Sequence, residues 1–162
     1  MWIKSNYTVV RRNFPIYSKY NREISPDDRV LSANLKAKDI DGLTPLQYAA
    51  YSSNEIILKV LLDAGSDIES KCNNQRNPLI EAIYSEEEAN AKLLIAYGAN
   101  INVKTPQGDS ILQMAIKYDK FNFVKILINC HPLMAIKDQE GKTPMEFAFS
   151  KKKMKSMKLM MY

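Results

Sequence analysis

The residues best suited to chemistry in this chain are few, and none is arranged for it. His131, the single histidine, stands beside Pro132 in a turn and has no nucleophile near it in sequence. A general base needs a positioned partner. Glu86, Glu87 and Glu88 are contiguous; three successive side chains point in different directions, whereas a cation site needs oxygens that converge. Cys72 and Cys130 are too few and too far apart for a disulfide framework or a zinc site, and read as reduced structural thiols. Gly98, Gly108 and Gly141 are isolated turn glycines, not a phosphate-cradling loop. The expectation is a protein with no catalytic residue, no metal site and no cofactor.

The elements that position these residues are clearest from Asp39 to Lys71. There Gly42 marks a turn, Thr44 can cap a helix, and Pro45 fits its first position, where a missing N–H costs nothing. Leu46, Ala49 and Ala50 make one narrow apolar face; Ile56, Ile57, Val60, Leu61 and Leu62 make a wider stripe on a second helix that Gly65 ends. Helices of about two turns cannot bury such stripes alone, so the unit requires neighbours.

Bulk properties agree with a single domain. A chain of 162 residues can bury roughly 70% of its unfolded surface. No run approaches the ~20 apolar residues of a membrane span, and the N-terminus lacks the apolar core of a signal peptide; the expected location is intracellular, cytoplasm or nucleus. The net charge of +5 is unevenly spread. Lys4, Arg11, Arg12, Lys19 and Arg22 precede the first acid, and five lysines lie between residues 151 and 158. With those ten of the 23 basic residues set aside, the body carries 13 against 18 acids, a charge of −5.

Residues 1–23 form a basic arm with Trp2, Tyr7, Phe14, Tyr17 and Tyr20, read as a loosely ordered segment or a strap across the first repeat. Residues 24–38 hold a helix start at Ser25-Pro26-Asp27-Asp28, followed by Val30, Leu31 and Leu35. Capping accounts for Ser25 without invoking phosphorylation.

A period of 33 then runs through the chain: copies occupy residues 39–71, 72–104 and 105–137, and a partial copy occupies 138–162. Its columns keep their chemistry: Leu46, Leu79, Leu112 and Met145; Ala49, Ala82, Ala115 and Ala148; Leu61, Leu94, Leu127 and Met160. Ser32–Lys38 matches Gly65–Lys71, so residues 24–38 are read as a half-repeat cap. Through D-x-x-G-x-T-P-L-x-x-A and L-L-x-x-G-A-N-x-N-x-K at this spacing, the chain resembles the ankyrin repeats. The resemblance implies an all-α repeat solenoid of helix-turn-helix units with β-hairpin-like fingers. It also implies a concave surface, lined by fingers and first helices, that binds another protein. Departures from the family pattern are Asn74-Gln75 for Asp-Gly, Asn77-Pro78 and Ser110-Ile111 for Thr-Pro, and His131 for the stop glycine. In place of the loop-supporting His stand Gln47, Ile80, Gln113 and Glu146, which predicts a stack less stable than a consensus one.

Positions that packing leaves free fall on the fingertips and at the ends of the first helices. The fingertip set is Ile40, Asp41 and Leu43; Asn73, Asn74 and Arg76; Pro106, Gln107 and Asp109; Gln139, Glu140 and Lys142. The helix ends are Tyr51-Ser52, Tyr84-Ser85, Lys117-Tyr118 and Ser150-Lys151. Exposed Tyr and Arg suit interface anchors, although Tyr51 and Tyr84 could equally pack on adjacent helix ends. Leu43 and Ile40 have little core to enter, and suggest contact with a partner or with the arm. A last helix, 151–162, sets Met154, Met157, Met160 and Met161 against Lys151, Lys152, Lys155 and Lys158. It reads as a cap with a polar outer face, as a basic surface for anionic lipid or nucleic acid, or as a docking helix. The expected function is a monomeric, non-enzymatic protein-binding module, an inhibitor or adaptor; the rival is a nucleic-acid or anionic-membrane binder using both basic ends.

Overall fold

The structure is a computed structural model and describes residues 34–161. The arm, Ser25 and most of the half-repeat cap therefore lie outside the described residues. Eight α-helices are found among those residues, with no strand: α1 Pro45–Tyr51, α2 Glu55–Asp63, α3 Pro78–Tyr84, α4 Glu88–Ala96, α5 Ile111–Lys117, α6 Phe121–Asn129, α7 Pro144–Ser150 and α8 Met154–Met160. The finger loops contain one isolated antiparallel bridge, Lys104 with Ser110. This is an all-α stack of four helix pairs, and the last helix is shorter than expected: residues 151–153 form the turn before it.

Each pair starts where the cap residues place it. Thr44, Asn77, Ser110 and Thr143 accept through their side chains from the backbone N–H three residues on, satisfying a helix donor that would otherwise be orphaned. Three of these caps are reciprocal boxes, closed by Gln47, Gln113 and Glu146. Asn90 reaches backward from α4 and donates to the carbonyls of Ala49, Ala50 and Ser52 at the end of α1. Gly65 and Gly98 take positive φ after α2 and α4; His131 takes the same conformation, φ 53°, after α6. The lost stop glycine thus leaves the turn intact, at the cost a side chain incurs in the left-handed region.

A continuous apolar core runs along the stack, built from Leu46, Leu58, Leu61, Leu79, Ile83, Leu94, Ile111, Ile116 and Leu127, all fully or almost fully buried. A glutamine latch supplements it at two of the three junctions between copies. Gln47 donates through Nε2 to the Arg76 carbonyl at 2.8 Å, and Gln113 donates to the Lys142 carbonyl at 2.8 Å. Loss of the motif histidine therefore does not remove loop support at these junctions: the glutamine closes the helix cap and holds the next finger together. At the second junction the corresponding residue is Ile80, which has no polar atom to offer.

The fingers repeat this asymmetry. Gly42, at φ 74°, lets Asn73 approach closely, and Asn73 donates from its backbone to the Asp41 carbonyl and from its side chain to the Ile40 carbonyl. Gly108 likewise lies against Gln139. At the middle junction Gln75 replaces the glycine, and Pro106, which has no N–H, stands in the column of Asn73 and Gln139. Accordingly α1 packs on α3 and α5 on α7, while α3 and α5 stand further apart.

The glycine at 42 carries two requirements, conformation and space. A Cβ there would lie 2.9 Å from the Asn73 backbone nitrogen, whereas one at Gly65, φ 82°, would meet nothing. Gly65→Ala should cost only the left-handed penalty, about 1–2 kcal/mol, and Gly42→Ala should cost more by about 1–3 kcal/mol, the price of overpacking. Urea unfolding of the two variants measures the difference.

Candidate functional site

On the finger and first-helix side, residues of the second and third copies join into one strip. Arg76 follows its finger, and its Nε lies 3.0 Å from Glu81 Oε1 on α3, a close ion pair without the alignment of a hydrogen bond. The same guanidinium lies over the Tyr84 ring, 5.1 Å from its centroid. Tyr84 and Tyr118 meet at 6.0 Å with their rings tilted by 53°. Lys117 lies 6.0 Å from the Tyr118 ring centroid and donates to Asp109 Oδ2 at 2.9 Å. From Glu81 to Asp109 the strip is thus held by charge and aromatic contacts that cross the middle junction.

At the other end, Asp41, Tyr51, Asn74, Arg76 and Glu81 line a cleft of about 270 Å³ between the first two copies. Glu81 is buried beneath Arg76 and accepts a weak bond from the Cys72 thiol at 3.7 Å. Burial pushes its carboxyl above the usual value, only partly offset by the Arg76 charge. Tyr48 donates to Asp39 Oδ2 at 2.6 Å; burial and that carboxylate push its phenol up. Burial also raises the Tyr84 phenol, aided by Tyr118. The bond to Asp109 raises Lys117, which stays cationic.

The structure distributes the expected site residues unevenly. Ile40 is 88% exposed at its fingertip, and Asp41, Asn74 and Gln107 are exposed beside it in their columns. Tyr51, Lys117 and Tyr118 are exposed, and Tyr84, Arg76 and Lys142 are half-buried. Lys142 pairs with Glu140 at 2.6 Å. Two expectations are corrected. Asp109 is buried, because the Lys117 ammonium draws it inward. Leu43 does find a place to pack: it is half-buried against Tyr48 and Ala37. Ser52 and Ser85 are half-buried helix caps, and the Ser52 carbonyl is already engaged by Asn90. Lys151, Lys152, Lys155 and Lys158 are exposed; Lys151 and Lys155 lie over the Phe147 and Phe121 rings.

Glu81 was missed by reasoning on fingertips and helix ends. Its signal was available in the 33-residue register: it shares a column with Tyr48, Met114 and Phe147, so it is an acid at a position otherwise kept for large apolar groups. The acidic run at 86–88 resolves into three separate contacts with neighbouring copies: Glu86 with Lys120, Glu87 with Ser53 and Glu88 with Asn122. Among the described residues, no cluster of His, Cys, Asp and Glu is suited to hold a metal ion.

Paired short helices, left-handed stops and cap-supported fingers at a 33-residue spacing agree with the sequence comparison, in which a profile for ankyrin repeats (three copies) matches residues 27–105 and 91–162. The chain belongs to the ankyrin-repeat family. A search of curated proteins returns no match. Ankyrin repeats are generally protein-protein interaction modules and are typically non-enzymatic. No helix among the described residues is long and apolar enough to cross a membrane.

Glu81 generates a pH dependence. A carboxyl whose folded value is raised holds more protons in the folded state than in the unfolded one, so stability is lost as pH rises from about 4.5, the ordinary value, through the raised value. Glu86, Glu140 and Glu146 are lowered, chiefly by bonds to Lys120, Lys142 and Thr143, and act in the opposite sense. They are common to both proteins in a comparison with Glu81→Gln. Denaturant midpoints should show the wild type losing stability relative to Glu81→Gln as pH rises through that window.

Proposed function

We propose that this ankyrin-repeat protein binds a partner protein along its finger and first-helix face, and acts by occupying that partner's surface as an inhibitor or adaptor. The observation that carries the reading is the strip Arg76–Tyr84–Tyr118–Lys117, whose rings and cations are already held by one another. Aromatic groups and arginine fixed before binding lose little side-chain entropy when a partner covers them. Ile40 at the first fingertip and Tyr51 at the end of α1 extend the contact surface over the cleft. Asp41, Asn74, Gln107 and Lys142 supply its polar margin, with Ser52 and Ser85 at the helix ends. Within the cleft Glu81 is already paired with Arg76, so Asp41 at its rim is the acid left to meet a partner's positive charge or hydrogen-bond donor.

The rival reading places binding of nucleic acid or anionic membrane on Lys151, Lys152, Lys155 and Lys158 together with the basic arm. It is favoured by the absence of a carboxylate partner for these four lysines among the described residues. The two readings differ in where substitutions act and in their response to salt.

With a partner captured by the full chain, Tyr51→Ala and Tyr118→Ala should each weaken binding by about tenfold, equivalent to about 1.4 kcal/mol. Tyr51→Ala should hardly change the unfolding midpoint, whereas Tyr118→Ala, which also removes the ring contact with Tyr84, should cost about 0.5–1.5 kcal/mol of stability. Neutralising the four lysines should leave this affinity within about threefold. The opposite pattern, measured by surface plasmon resonance on the same partner, would transfer the function to the basic ends.

A further inference from the structure

The cleft between the first two copies specifies an occupant more narrowly than the strip beside it does. At about 270 Å³ it is smaller than the roughly 300–1,000 Å³ of small-molecule pockets, and suits a single side chain. The donors on its lining are already engaged. Gln47 Nε2 donates to the Arg76 carbonyl at 2.8 Å, the Tyr48 hydroxyl to Asp39 Oδ2 at 2.6 Å and the Cys72 thiol to Glu81 Oε1 at 3.7 Å. Arg76, the cation on the lining, is held by Glu81 and by the Tyr84 ring.

The acceptors are not engaged in the same way. The exposed Asp41 carboxylate has neither a hydrogen bond nor an ion pair among the described residues. Glu81 is 5% exposed and meets both Arg76 and Cys72 through Oε1, which leaves Oε2 without a hydrogen bond among the described residues. A buried carboxylate oxygen in that state gains from any donor that reaches it. Because Glu81 and Arg76 compensate each other, the charge left over on the lining is the negative one of Asp41. Leu43 and Tyr48 pack together as an apolar wall, and the rim carries Tyr51, 38% exposed, and Ile40, 88% exposed. An apolar wall that leads to an unpaired acid matches a side chain with an apolar stem and a cationic head.

We propose that the cleft takes one basic side chain of the partner, lysine or arginine, as an anchor: its stem lies along Leu43 and Tyr48, its head meets Asp41 and Glu81 Oε2, and apolar neighbours in the partner cover Ile40 and Tyr51. The inference rests on the finger-face reading above and names the residue type that face selects. A partner acid at this point is rejected, since it would bring like charge to Asp41.

The probes are the capped tripeptides Leu-Lys-Leu, Leu-Gln-Leu and Leu-Glu-Leu, titrated into the isotope-labelled full chain and followed by amide chemical shifts. Leu-Lys-Leu should move the Asp41, Tyr51 and Asn74 amides saturably and bind about fivefold more tightly than Leu-Gln-Leu, the effect of one charge pair. Leu-Glu-Leu should bind weakest. Asp41→Asn should erase the preference for lysine over glutamine; its side chain contacts nothing that holds the fold, so circular-dichroism melts should match the wild type. Tyr118 lies outside the cleft, so Tyr118→Ala should leave the peptide affinities unchanged. Equal binding of the three peptides, a preference that survives Asp41→Asn, or no saturable shift at millimolar peptide overturns the proposal. If partner binding is nonetheless lost in Tyr118→Ala, the finger face stands and only the anchor falls. Binding that emerges only after Lys4, Arg11, Arg12, Lys19 and Arg22 are replaced by Gln also overturns the assignment to a partner, and gives the cleft to the chain's own basic residues.

Discussion

A helix pair of seven and nine residues cannot bury its own apolar stripe, and every other feature of this chain follows from that constraint. The stripe must be covered by the next pair, so the fold is a line of nearest-neighbour interfaces. Leu46, Leu79 and Ile83 are fully buried because copies stack. The polar groups that stacking buries must then find partners across the same junctions. Gln47 and Gln113 supply them by bonding to the following finger, and Asn90 does so by bonding back to α1.

The junctions are not equal. The first and third combine a finger glycine with a glutamine latch; the second has Gln75, Pro106 and Ile80 in those places and relies on apolar packing, on Lys120 between the Glu86 carboxylate and the Tyr84 carbonyl, and on the Tyr84–Tyr118 contact. The four copies thus form two finger-latched pairs joined at a seam without that latch, where Asn122 bonds to Glu88 and the Leu133 N–H to Asn102 instead. The strip proposed as the binding face crosses that seam, so a partner laid along it would touch both pairs at once.

Much of the fold was legible in the sequence because each column repeats one chemical demand: a cap at Thr44, Asn77, Ser110 and Thr143, a small residue at Ala49, Ala82, Ala115 and Ala148. His131 was legible as a departure, and its turn survived because a side chain can enter the left-handed region at moderate cost. The site was less legible. Asp109 and Arg76 share a column and read alike as tip residues, yet each turned toward an oppositely charged group on its own first helix, Lys117 and Glu81. Such pairings depend on side-chain reach between a finger and a helix, which column similarity does not encode. Leu43 was misjudged for a related reason: Tyr48 forms a small apolar cluster under the first finger, apart from the main core.

Native-state amide hydrogen exchange at increasing denaturant tests most directly whether junctions between copies, and their unequal latching, govern this structure. The account predicts that slowly exchanging amides of α1 and α3 share one opening free energy and those of α5 and α7 another, with the boundary between residues 98 and 110. A single free energy shared by all four helices, or a boundary at the first or third junction, would contradict it.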